Sequence, residues 1–151
     1  MLYRPPVPAD LPALNEMILR SKAIWGYDAD FMKACEDELR VTPAHLAAHA
    51  CLAAFDGETP VGMAGMAVAG ETLELAWMFV DPDHMRRGIG RALMDWVVAR
   101  SRLSGVETLI IHADPGAEDF YLNLGAVREG EAPSGSIAGR SLPRLTLDLR
   151  V

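Results

Sequence analysis

Apolar residues along this chain keep two rhythms, and the change between them divides it. Near the start, Leu11, Leu14, Met17 and Ile18 recur at the three-and-four spacing of one helical face. Asp10 stands before them as a cap and Pro12 falls in the first turn, which predicts a helix over about 10–24. Residues 2–4 read as a short strand that Pro5, Pro6 and Pro8 end. Gly26 breaks the first helix. A second follows over about 28–39, with Phe31, Met32, Cys35 and Leu39 on one face. Thr42 and Pro43 open a helical turn to about residue 47.

From there the period shortens to that of strands. Residues 49–55, 61–69 and 72–80 read as a three-stranded antiparallel meander, with turns at Asp56-Gly57-Glu58 and Gly70-Glu71. A helix over 89–103 follows, with Ile89, Leu93, Trp96 and Val97 inward. Residues 108–113 form a strand. Asp114-Pro115 starts another helix, which Gly125 ends. Residues 126–131 read as a strand, 132–141 as a Gly- and Ser-rich loop, and 144–150 as a last strand alternating Leu145, Leu147 and Leu149. The expected class is α/β (α+β): one domain over 1–151, a single mixed and mostly antiparallel sheet, and helices on both faces.

Composition narrows the partners. Half of the 151 residues are apolar, enough for a proper core. The net charge of −7 argues against nucleic acid and suits a cationic small molecule. No apolar run reaches membrane-spanning length, and Met1 to Pro6 lack a signal-peptide core, so a cytoplasmic protein is expected. Cys35 and Cys51 are expected as buried thiols. His45, His49, His84 and His112 are scattered, and no metal site is expected.

Against this acidic background one local positive site stands out. The strand ending at Val80 passes a short polar loop and reaches Arg86-Arg87-Gly88-Ile89-Gly90-Arg91, where a helix begins. Such a junction presents free backbone N–H groups to an anion, and glycines let the backbone come close. Arg86, Arg87 and Arg91 add fixed charge beside Gly88, Ile89 and Gly90, so a phosphate or pyrophosphate is expected there. A mononucleotide P-loop would need Gly-Lys-Ser/Thr, which is absent. The glycine spacing of a dinucleotide fold is absent too.

Two motifs give the chain a family resemblance. Residues 79–93, with the Arg-Gly turn at their centre, resemble the pyrophosphate-binding segment of the GCN5-related N-acetyltransferases. Residues 117–126, with Ala117, Tyr121 and Gly125 at four-residue steps, resemble the helix that lies beside the thioester in that family. The resemblance implies an acyl-CoA N-acyltransferase-like fold, acetyl-CoA (coenzyme A) as co-substrate, and transfer of an acetyl group to a primary amine of a small molecule. Direct attack in a ternary complex is the implied route. It implies Tyr121 as the acid that protonates the leaving thiolate. It implies that the strand carrying Met78, Phe79 and Val80 splays from its neighbour, so that its backbone holds the acetyl group.

Glu74, six residues before Val80, stands where the histone-acetylating branch carries its glutamate, and is the candidate base; a water chain would serve as well. His112 is an alternative base. Trp25, Tyr27 and Asp28, with Lys22 and Phe31, fall where the family's substrate loop lies, and their rings and carboxylate could receive a cationic group. Two departures stand out. Met85 replaces the usual Gln or Arg, and Asp114 and Gly116 occupy the positions where many members place a CoA-contacting Asn. A non-catalytic acyl-CoA-binding or regulatory module on the same fold is the alternative reading, and a homodimer is common in such folds.

Overall fold

The structure, a computed structural model, describes residues 1–150. One seven-stranded sheet organises it. The strands are β1 (Leu2–Arg4), β2 (Ala50–Asp56), β3 (Thr59–Ala69), β4 (Thr72–Val80), β5 (Thr108–His112), β6 (Val127–Pro133) and β7 (Ser141–Asp148), in the order β1-β2-β3-β4-β5-β7-β6. Only β4 and β5 run parallel; every other neighbouring pair is antiparallel. The helices are α1 (Leu11–Ala23), α2 (Ala29–Leu39), α3 (Pro43–Ala48), α4 (Ile89–Leu103) and α5 (Glu118–Asn123). The expected class and sheet are as found.

The sheet separates two apolar clusters. Leu14, Met17 and Ile18 of α1 pack with Phe55, Met63 and Trp77. Leu93, Met94 and Val97 of α4 pack with Leu109, Ile111, Leu145, Leu147 and Tyr121. In β4 the allegiance switches. Gly65 pairs with Trp77 and Met66 with Leu75, so Ala76 is the extra residue of a β-bulge. Before it, Leu73 and Leu75 join the α4-side cluster; after it, Met78 and Val80 do, while Trp77 and Phe79 join the α1 side.

Two local expectations are corrected. Asp10 does not cap α1 with its side chain. Its carboxylate turns back to accept from Val7 N–H (2.8 Å) and from Arg4 (2.8 and 3.0 Å), and residues 8–10 form a tight turn ahead of the helix. The loop expected over 132–141 is shorter, because Ala132 and Pro133 pair with Leu142 and Ser141 and extend both strands. Met63 packs on the α1 side of the sheet and Met66 on the α4 side, both buried.

Candidate active site

The parallel β4–β5 pairing is confined to two register steps, Leu73 opposite Leu109 and Glu74 opposite Ile110. Beyond them the strands part, while Met78, Phe79 and Val80 stay paired to β3 on their other side. Backbone groups of β4 that face the gap therefore have no strand partner there. At the crotch of the split Glu74 and His112 meet, with His112 Nδ1 3.2 Å from Glu74 Oε1 and both side chains about one-third exposed. The two residues read separately as candidate bases thus form one pair.

At the open end of β4 the chain enters the Arg-Gly turn. Arg86 has φ +61 and Gly88 φ +80, and no side chain caps the first turn of α4. The leading N–H groups of that helix are therefore unpaired. A Cβ built on Gly88 would meet nothing within 4 Å, so the space over it is open. Gly90 is tighter: its Cβ would stand 3.4 Å from Phe120 of α5 and 3.6 Å from Val80. These features fit a pyrophosphate. Arg91 also faces Asp95, at 3.4 Å, on the exposed side of α4.

The entry to the turn is locked. Asp81 is buried; its N–H donates to Val61 O (2.8 Å), and its carboxylate receives Arg20 (3.2 Å) and His84 Nδ1 (2.8 Å). His84 Nε2 reaches Asp56 at 3.2 Å. With a carboxylate at each ring nitrogen, Asp81 first and Asp56 second, the imidazole is held above its ordinary pKa, with Arg87 opposing. Nothing in the sequence spacing announced this cluster.

Tyr121 on α5, 6% exposed, belongs to the α4-side cluster against which Met78 and Val80 also pack. Burial, with the nearby Asp114 carboxylate adding to it, pushes its phenol well above the ordinary tyrosine value. It keeps its proton at any physiological pH. Cys51, pushed up to about 11 by burial, is no thiolate nucleophile at neutral pH.

Asp114, just past the end of β5, is the hub of the opposite wall. It accepts from Lys22 Nζ of α1 (2.5 Å), from the Tyr27 hydroxyl (2.8 Å) and from Gly116 N–H (3.0 Å). Burial pushes its carboxyl up, and these donors outweigh that and hold it below the usual range. Tyr27, raised to about 12 mainly by burial, also accepts from Arg140 (2.7 Å), which comes from the β6–β7 connection. Trp25 lies against Gly116, where an added Cβ would be 2.5 Å from its ring. Asp28 caps α2 through Phe31 N–H.

The receptor expected for a cationic group is therefore already engaged within the chain. Lys22 and Arg140 lie over the stacked rings of Tyr27 and Phe31, and Asp28 serves its helix. The departure at Asp114 also has its reason, since that side chain is held toward α1 by Lys22 and Tyr27. Among the described residues no cluster of His, Cys, Asp and Glu is disposed to hold a metal, and no helix is long and apolar enough to cross a membrane.

The model of the acetyltransferase (GNAT) family matches residues 16–126, which include the split, the Arg-Gly turn and Tyr121. The chain belongs to the GNAT acetyltransferase family. This GNAT chain is 30% identical over 135 residues to serotonin N-acetyltransferase 2, chloroplastic, of Oryza sativa subsp. japonica; the match covers 87% of the chain and 64% of the relative, so the chain spans under two thirds of that protein's length. Its fold is similar to that of PaiA N-acetyltransferase from Thermoplasma acidophilum, solved in complex with coenzyme A (TM-score 0.81, 16% identity, 97% of this chain and 98% of that one). It is also similar to a GCN5-related N-acetyltransferase from Rhodopseudomonas palustris (TM-score 0.78, 22% identity, 97% and 94%).

Proposed function

We propose that this GNAT chain transfers the acetyl group of acetyl-CoA to the primary amine of a small molecule, by direct attack in a ternary complex. The observation that carries the reading is one gap with two complementary ends. The uncapped Arg-Gly turn opens α4 at one end, and Tyr121 packs in the same cluster as Met78 and Val80 of the open stretch of β4. Arg86, Arg87 and the backbone of Gly88, Ile89 and Gly90 hold the pyrophosphate; Arg91 adds charge.

Acetyl-CoA supplies an activated thioester carbonyl. Unpaired backbone groups of Met78, Phe79 and Val80 orient that carbonyl and stabilise the charge that develops on its oxygen. An alkylammonium, with an ordinary pKa of about 10, must lose a proton before it attacks. The Glu74–His112 pair at the crotch takes it, directly or through water. Tyr121, kept protonated by burial, hands its proton to the departing sulfur. The buried, protonated Cys51 favours this route over a thiol acyl-enzyme.

The test is release of free CoA thiol from acetyl-CoA across a panel of primary amines. Amine-dependent release supports the reading. Binding of acetyl-CoA without release for any amine would favour a non-catalytic acyl-CoA-binding module.

A further inference from the structure

We infer that the acceptor carries a carboxylate as well as its amine, and that Arg140 binds it. The inference rests on the acetyl-transfer reading and names the class of its second substrate. Two cations, Lys22 and Arg140, stand beside the single Asp114 carboxylate. The charges do not contribute equally. Lys22 is spent on Asp114 at 2.5 Å, whereas Arg140 stands 3.9 Å from that carboxylate. Arg140 gives one terminal nitrogen to the Tyr27 hydroxyl and lies 4.8 Å from the Phe31 ring centroid and 5.1 Å from that of Tyr27. Its Nε and other terminal nitrogen have no hydrogen-bond partner among the described residues, and neither is sealed from solvent. A guanidinium held flat on rings, with donors left over, matches the planar fork of a carboxylate.

The loop that carries Arg140 is built to hold it still. Ser134 N–H donates to Arg140 O (2.7 Å), and the Ser134 hydroxyl accepts from Ser136 and Ile137 N–H. Ser136 in turn donates to Glu38, tying the loop to α2. Asp114 caps the turn that leads directly into α5 and Tyr121, and Arg140 stands 3.9 Å from it, so a carboxylate on Arg140 lies on the wall from which that helix starts. An amino acid meets both demands. A polyamine would set a second cation against Arg140 and Lys22.

The experiment compares α-amino acids with their carboxamides as acceptors, reading steady-state kinetics of CoA release for the wild-type chain, Arg140→Met and Arg140→Lys. The wild type is expected to favour the free acids by about 10- to 100-fold in kcat/KM, the range of charged hydrogen bonds. Arg140→Met should erase that preference by raising KM for the acids far more than for the carboxamides. Arg140→Lys should restore only part of it. Carboxamides used as well as acids by the wild type would overturn the subsite even if the variants fail to fold. So would an equal loss on both acceptor types in Arg140→Met. Turnover of amines that carry no carboxylate, with acids rejected, removes the subsite and keeps acetyl transfer; no release with any amine removes both.

Discussion

Lys22 on α1 donates to Asp114 beyond β5 at 2.5 Å, across 92 residues of sequence, with the side chains 12% and 11% exposed. This contact joins the α1–α2 corner to the strand that borders the split. Its removal leaves the partner charge stranded, which is the costly way to disturb a buried ion pair. Asp114→Ala is expected to lower unfolding stability by about 3 kcal/mol, measured by urea denaturation. It also releases Tyr27, so the acceptor's KM should rise more than that of acetyl-CoA. A stability change within about 0.5 kcal/mol would mean that water replaces the contact.

Tyr121→Phe keeps the ring in its place and removes only the hydroxyl. Turnover should fall by roughly 10²- to 10⁴-fold, while acetyl-CoA affinity, read by titration calorimetry, stays where it was. The phenol's raised pKa sets the sign of the pH dependence. No alkaline loss of rate from Tyr121 should occur below pH 10, because burial keeps it protonated there.

At the other end of the gap, Gly88→Ala forces a side chain into φ +80, which costs about 1–2 kcal/mol. Arg87→Ala removes one charged donor. Each is expected to weaken acetyl-CoA binding, Arg87→Ala by about 10- to 100-fold, with little change in turnover at saturation. The Arg87→Ala complex should also depend less on salt. Equal affinity in the variant would take that guanidinium off the phosphates.

How much of this was legible depends on distance along the chain. The Arg-Gly turn and the Tyr121 helix are local: four-residue steps and glycines at a strand–helix junction show in one short window. The Glu74–His112 pair was visible as two candidates but not as a pair, because a parallel register decides it. The Asp114 hub was hidden, since Lys22 and Tyr27 lie 92 and 87 residues away. Cation binding by Tyr27 was a fair reading of composition; the cations that occupy its ring come from this same chain. At Asp10, capture by Arg4 and Val7 overrode a sound capping pattern.

His84 ties the Arg-Gly turn to pH. Its folded-state pKa is raised above the ordinary 6.5 by Asp81 and Asp56, so its contribution is complete below that value. It is lost as the pH rises through the raised value. Stability should therefore decline on going alkaline of 6.5, and His84→Gln should flatten that slope. Thermal melts of both chains across pH 6 to 9 check it; matching slopes would place the pH dependence elsewhere.

The Glu74–His112 contact asks which of two residues moves the amine's proton. The parallel register sets Glu74 opposite Ile110, two residues before His112, and the pair sits at the crotch where the strands begin to part. A carboxylate in contact with an imidazole orients it, and in the proposed mechanism the two serve as one acceptor of the proton. If so, Glu74→Gln and His112→Asn should each lower kcat/KM by about 10²-fold or more. The double variant should then be hardly worse than the worse single, as for groups acting as a unit. Rates should also recover at high pH in both single variants, because an amine already deprotonated in solution needs no base. Losses that simply add would separate the two roles. Full activity in all three variants would hand the proton to a water chain along the split.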